Sequence, residues 1–374
     1  MFDLMDEWGP EKIVAVSDVR TGMRGVLVID NTARGMGKGG TRMQPSVSVT
    51  EVARLARVMT WKWAATDLFY GGAKAGIAAD PNSPHKEEIL RSFVRALRNE
   101  VPEEYVFGLD MGLTENDAAV INDELGRGSA VGTPYELGGM PYDQLGVTGY
   151  GVAESIDATV SRLGIKQAGV AIQGFGAVGH AVARRLQDLG HHVVAISTAE
   201  GALADPNGLD VDALLAARNL HGDALVHEFA DRSIPVGDEL FVDADVLVPA
   251  AMQDVLSVDD IERVQAKALV EGANLPTSPE AQAALLERGI TVVPDFIANA
   301  GGVVAAAFAM DARTSAFRPD TDKVMATVAE RIRENTETVL QASTDRGITS
   351  HEAARTLAQE RVRKAMDLRG RSLT

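Results

Sequence analysis

The chain has 374 residues, 45% hydrophobic and 24% charged, with a formal net charge of −17 and no cysteine. That length exceeds one ordinary core, so two domains are expected. The missing cysteines exclude disulfides and thiolate metal sites, and the acidity argues against a nucleic-acid partner, which needs a basic footprint. The histidines show no metal-ligand spacing, so no metal is expected. Lysine is scarce and aspartate abundant, which suits a salt-adapted host or a GC-rich genome equally. No apolar run approaches the ~18–20 residues of a membrane span. The N-terminal MFDLMDEWGPEK is acidic and polar, neither a signal nor a transit peptide. A cytoplasmic protein with no membrane partner is the expectation.

Residues 13–30 hold two β-rich runs around a TG turn, which predicts a hairpin. Residues 49–66 carry apolar positions at helical spacing, opened by Ser48 or Thr50 as a cap. FYGGAKAGIAADP (69–81) reads as a glycine loop around Lys74. A helix over 86–99 follows, then a short strand, YVFGLD, ending in Asp110. ENDAAVINDEL begins another helix. Residues 141–147 are loop-like, and 148–164 are helical. From residue 168 the pattern becomes strand, glycine turn, helix, strand. Further strands are expected at ELFVDADVLVPA, KALVEGAN and TVVPDFIAN, an alternation that predicts a parallel α/β sheet. The last ~50 residues, from about Asp322, read as helical without a strand and are expected to pack on the first domain, since lone helices bury no core.

Gly174-Phe175-Gly176-Ala177-Val178-Gly179 fits GxGxxG between a β-run and a helix, the context a dinucleotide turn requires. The first glycine makes the turn, the second lets backbone approach a pyrophosphate, and the third packs helix on strand. A tight turn without ligand is the plain alternative. The next strand ends in Ile196-Ser197-Thr198-Ala199-Glu200, with no carboxylate at the place that meets the ribose of NAD. The small hydroxyls of Ser197 and Thr198 lean the reading towards NADP, although no arginine is adjacent to grip a 2′-phosphate. NAD(P) is the expected cofactor.

Lys38 in GKGGTRM, Lys62 in MTWKWAA and Asp110 in LDMG each have an ordinary reading, as a loop charge, a snorkelling helix residue and a cap. Together, KGGTRM, MTWK, GGAKAGI and LDMG ahead of a dinucleotide turn form an ordered series. It resembles the glutamate/leucine/phenylalanine/valine dehydrogenase family of amino acid dehydrogenases. TGYG (148–151), VPAA (248–251), EGANLP (271–276) and PDFIANAGGV (294–303) extend the resemblance over nearly the whole chain. It implies interconversion of an L-amino acid with its 2-oxo acid and ammonia, with hydride exchanged with nicotinamide. By resemblance, Lys62 binds the substrate α-carboxylate and Lys74 is the catalytic amine, its pKa lowered by burial and by Lys62. Asp110 shuttles protons. Gly39, Gly40 and the turn at Asn299 complete the pocket, while Thr148, Ala250, Ala251 and Asn274 serve the cofactor.

In glutamate enzymes of the family a lysine precedes the paired glycines, as Lys38 does here, and meets a distal carboxylate. L-Glutamate is therefore the expected substrate. Ala306 departs from the pattern, because glutamate enzymes carry a serine there. Ala177 and Trp63 depart as well, each replacing a common asparagine. The alternatives are a dehydrogenase for apolar or aromatic amino acids, or a catalytically silent regulatory paralogue. The fold expectation is α/β with two domains and a cleft between them. An N-terminal substrate and oligomerisation domain covers 1–145 plus about 322–374, and a Rossmann-type, doubly wound dinucleotide-binding domain covers 146–321. Relatives suggest a homo-oligomer, with a hexamer favoured.

Overall fold

A computed structural model describes residues 2–140 and 145–371. The chain divides into two units. Met1–Tyr142, Ala305–Val324 and Leu357–Thr374 form the first, and Asp143–Val304 with Met325–Thr356 forms the second.

The first unit holds β1 (Lys12–Asp18), β2 (Met23–Asn31), β3 (Gly37–Met43), β4 (Gly71–Ile77) and β5 (Tyr105–Leu109), in the sheet order β1-β2-β4-β3-β5. The first two strands form the expected hairpin. β4 runs antiparallel to β2, while β3 lies parallel between β4 and β5. Period-2 alternation separates two faces. Leu27, Ile29, Ala73, Ala75 and Ile77 pack against Leu90, Phe93 and Val94 of α2 (Lys86–Ala96) and Ile121 of α3 (Glu115–Leu125). Val26 and Val28 turn the other way, onto Val52, Ala53 and Ala56 of α1 (Val49–Ala65). Ser48 caps α1, its Oγ accepting from the Glu51 N–H at 3.2 Å. Ser48→Ala should lower stability by about 1 kcal/mol, read as a lower denaturant midpoint with activity retained; an unchanged midpoint would show that the cap contributes nothing.

The expected glycine loop around Lys74 is instead β4, buried throughout. Glycine is a weak strand former, but close packing selects it here. A Cβ at Gly72 would lie 2.0 Å from the Thr60 hydroxyl of α1. Lys38 likewise belongs to a strand, β3, and not to a loop.

The second unit opens with α4 (Val147–Arg162). Residues 141–144 of the expected loop lie outside the described residues, and Val147 is already helical. The strands are β6 (Gly169–Gln173), β7 (His192–Thr198), β8 (Gly201–Ala204), β9 (Ser233–Ile234), β10 (Val246–Pro249), β11 (Ala268–Val270) and β12 (Thr291–Val293). Between them lie α5 (Ala177–Leu189), α6 (Val211–His221), α7 (Pro279–Glu287) and, after β12, α8 (Asp295–Ala298). The sheet order is β12-β11-β10-β6-β7-β8-β9, parallel from β12 to β7, with β8 and β9 antiparallel at one edge. This is the doubly wound sheet expected, with its topological switch between β6 and β10. Of ELFVDADVLVPA only Val246–Pro249 is strand. Glu239 folds back to accept the Gly237 N–H at 2.6 Å, closing a 3₁₀ turn over Asp238–Phe241.

The C-terminal part is helical: α9 (Gly301–Ala312), α10 (Thr321–Arg346) and α11 (Ser350–Leu368). Residues 325–356, placed in the first domain by the sequence, lie in the second unit. There Thr336 meets Ser155 at 3.0 Å and Arg333 pairs with Glu154 and Asp157 of α4. Residues 305–321 differ in the opposite sense, since Ala309 and Met310 pack on Val106 and Val131 of the first unit. Contrary to the sequence expectation, Asp295–Ala312 does reach membrane-spanning length and apolarity; 67% of it is buried within the protein, which is the setting of a core segment.

Candidate active site

β3, β4 and β5 bring the singled-out charges of the first unit onto one face. Lys38 pairs in register with Gly72 and with Val106, while Gly40 pairs with Gly108. Lys74 and Asp110 each stand an even number of residues from those partners, so all three side chains leave the sheet on the same side. That side is the one covered by α1, because Lys74 pairs with Val28. Lys62 stands in the last turn of the same helix.

Lys74 is 8% exposed, and its Nζ lies 2.8 Å from Asp110 Oδ2. Arg42, two residues beyond Gly40, holds the same oxygen from Nε at 3.1 Å and Glu51 at 2.8 Å. Burial pushes the Asp110 carboxyl up. The charges of Lys74 and Arg42, with the Met111 N–H, outweigh that and hold it below the usual aspartate range. Asp110 is thus held as a carboxylate between two cations.

Lys38 is only 2% exposed. Its Nζ donates to Val106 O at 3.2 Å and Gly39 O at 3.4 Å. Burial, then the nearby charges of Lys74 and Arg313, push this amine down to about 7. A Cβ at Gly108 would sit 2.5 Å from Lys38 Nζ, so glycine there makes room for the amine. Trp63, buried in α1, donates its indole N–H to Lys38 O at 3.0 Å, and Tyr105 OH donates to Gly39 O at 3.0 Å. The backbone of Lys38 and Gly39 is thereby fixed from both sides of the sheet. Ala306 lies in α9, partly exposed.

In the second unit, the carboxyl ends of β6, β10 and β11 meet at the switch point. Gly174 follows β6 at φ +91°, and Ala250 and Ala251 follow β10, their N–H groups donating to Gln173 O and Oε1. A Cβ at Gly179 would lie 1.9 Å from Gly174 O, whereas one at Gly176 would meet nothing within 4 Å. The space beside Gly176 faces the N-terminus of the 13-residue α5, with Ala177 exposed and Val178 partly so. Open space beside Gly176, at the N-terminus of this helix, fits a pyrophosphate. Phe175 is buried as a core side chain, so its backbone alone is offered there. Asn299 Nδ2 donates to Gly272 O at 3.3 Å and Asn274 Oδ1 at 3.1 Å. Thr148 stands in the first turn of α4, where its hydroxyl would be 3.1 Å from a Cβ at Gly302.

The Ser197 and Thr198 hydroxyls serve the protein itself. Ser197 Oγ accepts from the Gly174 N–H at 3.0 Å, and Thr198 Oγ1 donates to Asp223 O at 2.8 Å. The glycine turn is therefore braced by the end of β7.

The profile of the Glutamate/Leucine/Phenylalanine/Valine dehydrogenase family matches residues 138–370, and that of its Glu/Leu/Phe/Val dehydrogenase dimerisation domain matches residues 10–127. The chain belongs to this family of amino acid dehydrogenases. It is 37% identical to glutamate dehydrogenase A2 of Halobacterium salinarum, over 96% of this chain and 91% of that protein. The NAD-specific glutamate dehydrogenase of Staphylococcus aureus is 36% identical, over 91% of this chain and 84% of that one. Among solved structures, the hetero-hexameric glutamate dehydrogenase of Thermus thermophilus, in its Leu-bound form, superposes with a TM-score of 0.84 at 32% identity, covering 98% of this chain and 92% of that one. The Peptoniphilus asaccharolyticus glutamate dehydrogenase gives a TM-score of 0.86 at 28% identity, covering 99% and 94%.

Two residues of this dehydrogenase site were not singled out by the sequence. Arg42 lies in the quoted GKGGTRM but becomes visible only through the alternation of 38, 40 and 42 along β3. Arg313, whose charge reaches Lys38, lies past the recognisable motifs and carries no local signal.

Proposed function

We propose that this dehydrogenase interconverts L-glutamate with 2-oxoglutarate and ammonia. The observation that carries the reading is the Lys74–Asp110 pair at 2.8 Å on the same sheet face as the buried Lys38. Lys62 takes the α-carboxylate in a charge-assisted contact. Lys74 donates to the 2-oxo oxygen and polarises it, and later helps the carbinolamine oxygen leave as water. Asp110 takes a proton from the attacking ammonia nitrogen and returns one to the product amine. Gly39 and Gly40 offer backbone in place of side-chain bulk. Lys38 meets the distal carboxylate, an interaction available only to a dicarboxylic substrate.

The reduced nicotinamide, when bound, would supply the hydride that C2 accepts in this direction. Gly174 to Gly179 would hold its pyrophosphate, with Thr148, Ala250, Ala251, Asn274 and Asn299 on the nicotinamide side. We assign NAD as the working cofactor. The hydroxyls that leaned the sequence towards NADP are engaged within the protein, and Glu200, paired with His227 at 3.1 Å, sets a carboxylate near the end of β7 that disfavours a 2′-phosphate. The assembly we infer is a homo-hexamer.

One observation favours a second reading. Ala306 lacks the hydroxyl that glutamate enzymes of the family place there, which suits a dehydrogenase for apolar amino acids. Oxidation of NADH and of NADPH with ammonia and a panel of 2-oxo acids, at low and high salt, separates the two. The expected result is 2-oxoglutarate with NADH as the preferred pair, with a hexameric mass by light scattering in the same samples. Branched-chain 2-oxo acids outrunning 2-oxoglutarate would replace the substrate assignment, a preference for NADPH the cofactor assignment, and a smaller particle the hexamer. Cofactor binding without turnover of any acid would establish a silent paralogue.

A further inference from the structure

Beyond the groups given roles above, a buried polar cluster lies at the carboxyl end of β11. Glu271 follows the strand directly and is wholly buried. Its Oε2 accepts from the Asp295 N–H at 2.9 Å and lies 2.7 Å from His351 Nε2, while the Thr277 hydroxyl donates to Oε1. His351 stands in the first turn of α11, more than nine-tenths buried, and its Nδ1 finds no partner among the described residues. The ring hydrogen is therefore assigned to Nε2, where it faces the carboxylate.

A buried carboxylate is costly unless donors meet it. The donors here come from three places: the turn before α7, the start of α8, and α11. Glu271 draws all three to one point, and the turn it closes carries Asn274 and Leu275. Leu275 is held at φ +52° with its N–H on Asp295 Oδ2 at 2.9 Å. Asn299, at the end of α8, bonds Gly272 O and Asn274 Oδ1. A shift of the Glu271 carboxylate would thus reach both asparagine amides.

We propose that His351 is a positioning residue for the nicotinamide side of the cofactor site, acting through Glu271 on the Asn274–Asn299 pair. This rests on the cofactor role given above to those two asparagines. His351→Leu removes the donor, whereas His351→Gln keeps an N–H for Oε2. NADH affinity by fluorescence titration, and KM for NADH and for 2-oxoglutarate, are measured for the wild-type enzyme and both variants. Losing a hydrogen bond to a charged group should raise the NADH Kd and KM about tenfold in the leucine variant. The KM for 2-oxoglutarate should stay put, and glutamine should restore most of the loss. Thr277→Val, which removes a different donor from the same carboxylate, should weaken NADH in the same sense, and it carries the test if the leucine variant does not fold. A folded leucine variant with wild-type NADH affinity or, where that variant does not fold, a valine variant with wild-type NADH affinity would overturn the role of His351. Equal impairment in the leucine and glutamine variants would overturn it as well, since the ring's shape and not its donor would then matter. A wild-type enzyme that binds no NADH would overturn the cofactor reading itself, a result distinguishable from both.

Discussion

Lys74→Ala should abolish turnover while leaving NADH affinity unchanged. General acid–base assistance contributes about 10²–10⁴ in rate, and a preorganised donor to a developing oxyanion about 10²–10³. Lys74 supplies both in the proposed reaction, so a fall of at least ~10⁴ in kcat is expected. The fold should survive, because Asp110 keeps Arg42 at 3.1 Å as a counter-charge and is not left as an isolated buried carboxylate. A thermal melt and an NADH titration on the variant check both points. Turnover within tenfold of wild type would remove Lys74 from the mechanism, whereas loss of activity, of NADH binding and of the cooperative melt all together would mark a defect of the fold.

Lys38→Leu should lower kcat/KM for 2-oxoglutarate by about 10²–10³, in line with the few kcal/mol a desolvated charge pair carries. Acids without a distal carboxylate should be affected little. An equal loss across all 2-oxo acids would contradict the distal-carboxylate role. The lowered Lys38 pKa adds a pH signature. Only the ammonium form attracts the distal carboxylate, so in the wild type kcat/KM for 2-oxoglutarate should fall as pH rises through about 7. In Lys38→Leu that step should vanish. The same shift has a stability consequence of definite sign. Below about 7, Lys38 is protonated in both folded and unfolded chains, and the folded state bears the full cost of a buried charge. Between about 7 and the ordinary lysine value of 10.5 the unfolded chain binds more protons than the folded one, so this group's contribution to stability improves as pH rises. No contribution from this group would place the Lys38 amine in a solvated setting, and one running the other way would require an anionic partner that raises its pKa.

Much of this site was legible in the sequence, and the parts that were not share a cause. Gly174 to Gly179 could be placed because a β-run precedes the turn and an amphipathic helix follows it. The pairing of Lys74 with Asp110 could only be expected from resemblance, since 36 residues separate them and parallel register brings them together. β3 and β4 escaped the reading because glycine-rich segments look like turns. Their strand character comes from the helix packed against them, a tertiary effect that overrides local propensity. Arg42 stayed hidden for the same reason, because its direction follows from the pleat only once a strand is known. Lys38 was picked out, but the burial that pushes its amine to about 7 is a property of neighbours distant in sequence. Ser197 and Thr198 were read as facing a ligand, and a single chain gave no sign that Gly174 and Asp223 would claim their hydroxyls.

The glycine-lined sheet face also bears on how substrate preference in this enzyme could be altered. A Cβ at Gly40 would lie 2.5 Å from Leu109 O, and at Gly72 and Gly108 it would strike Thr60 and Lys38. Each of these glycines is required by close packing, and none leaves room for a side chain that mutation could tune. A randomised library aimed at the strands would therefore return mostly collapsed or inactive variants. New substrate ranges are more accessible through Lys38 and Ala306, where side-chain volume and polarity can change, whereas Trp63 braces the Lys38 backbone from α1 and is best left alone.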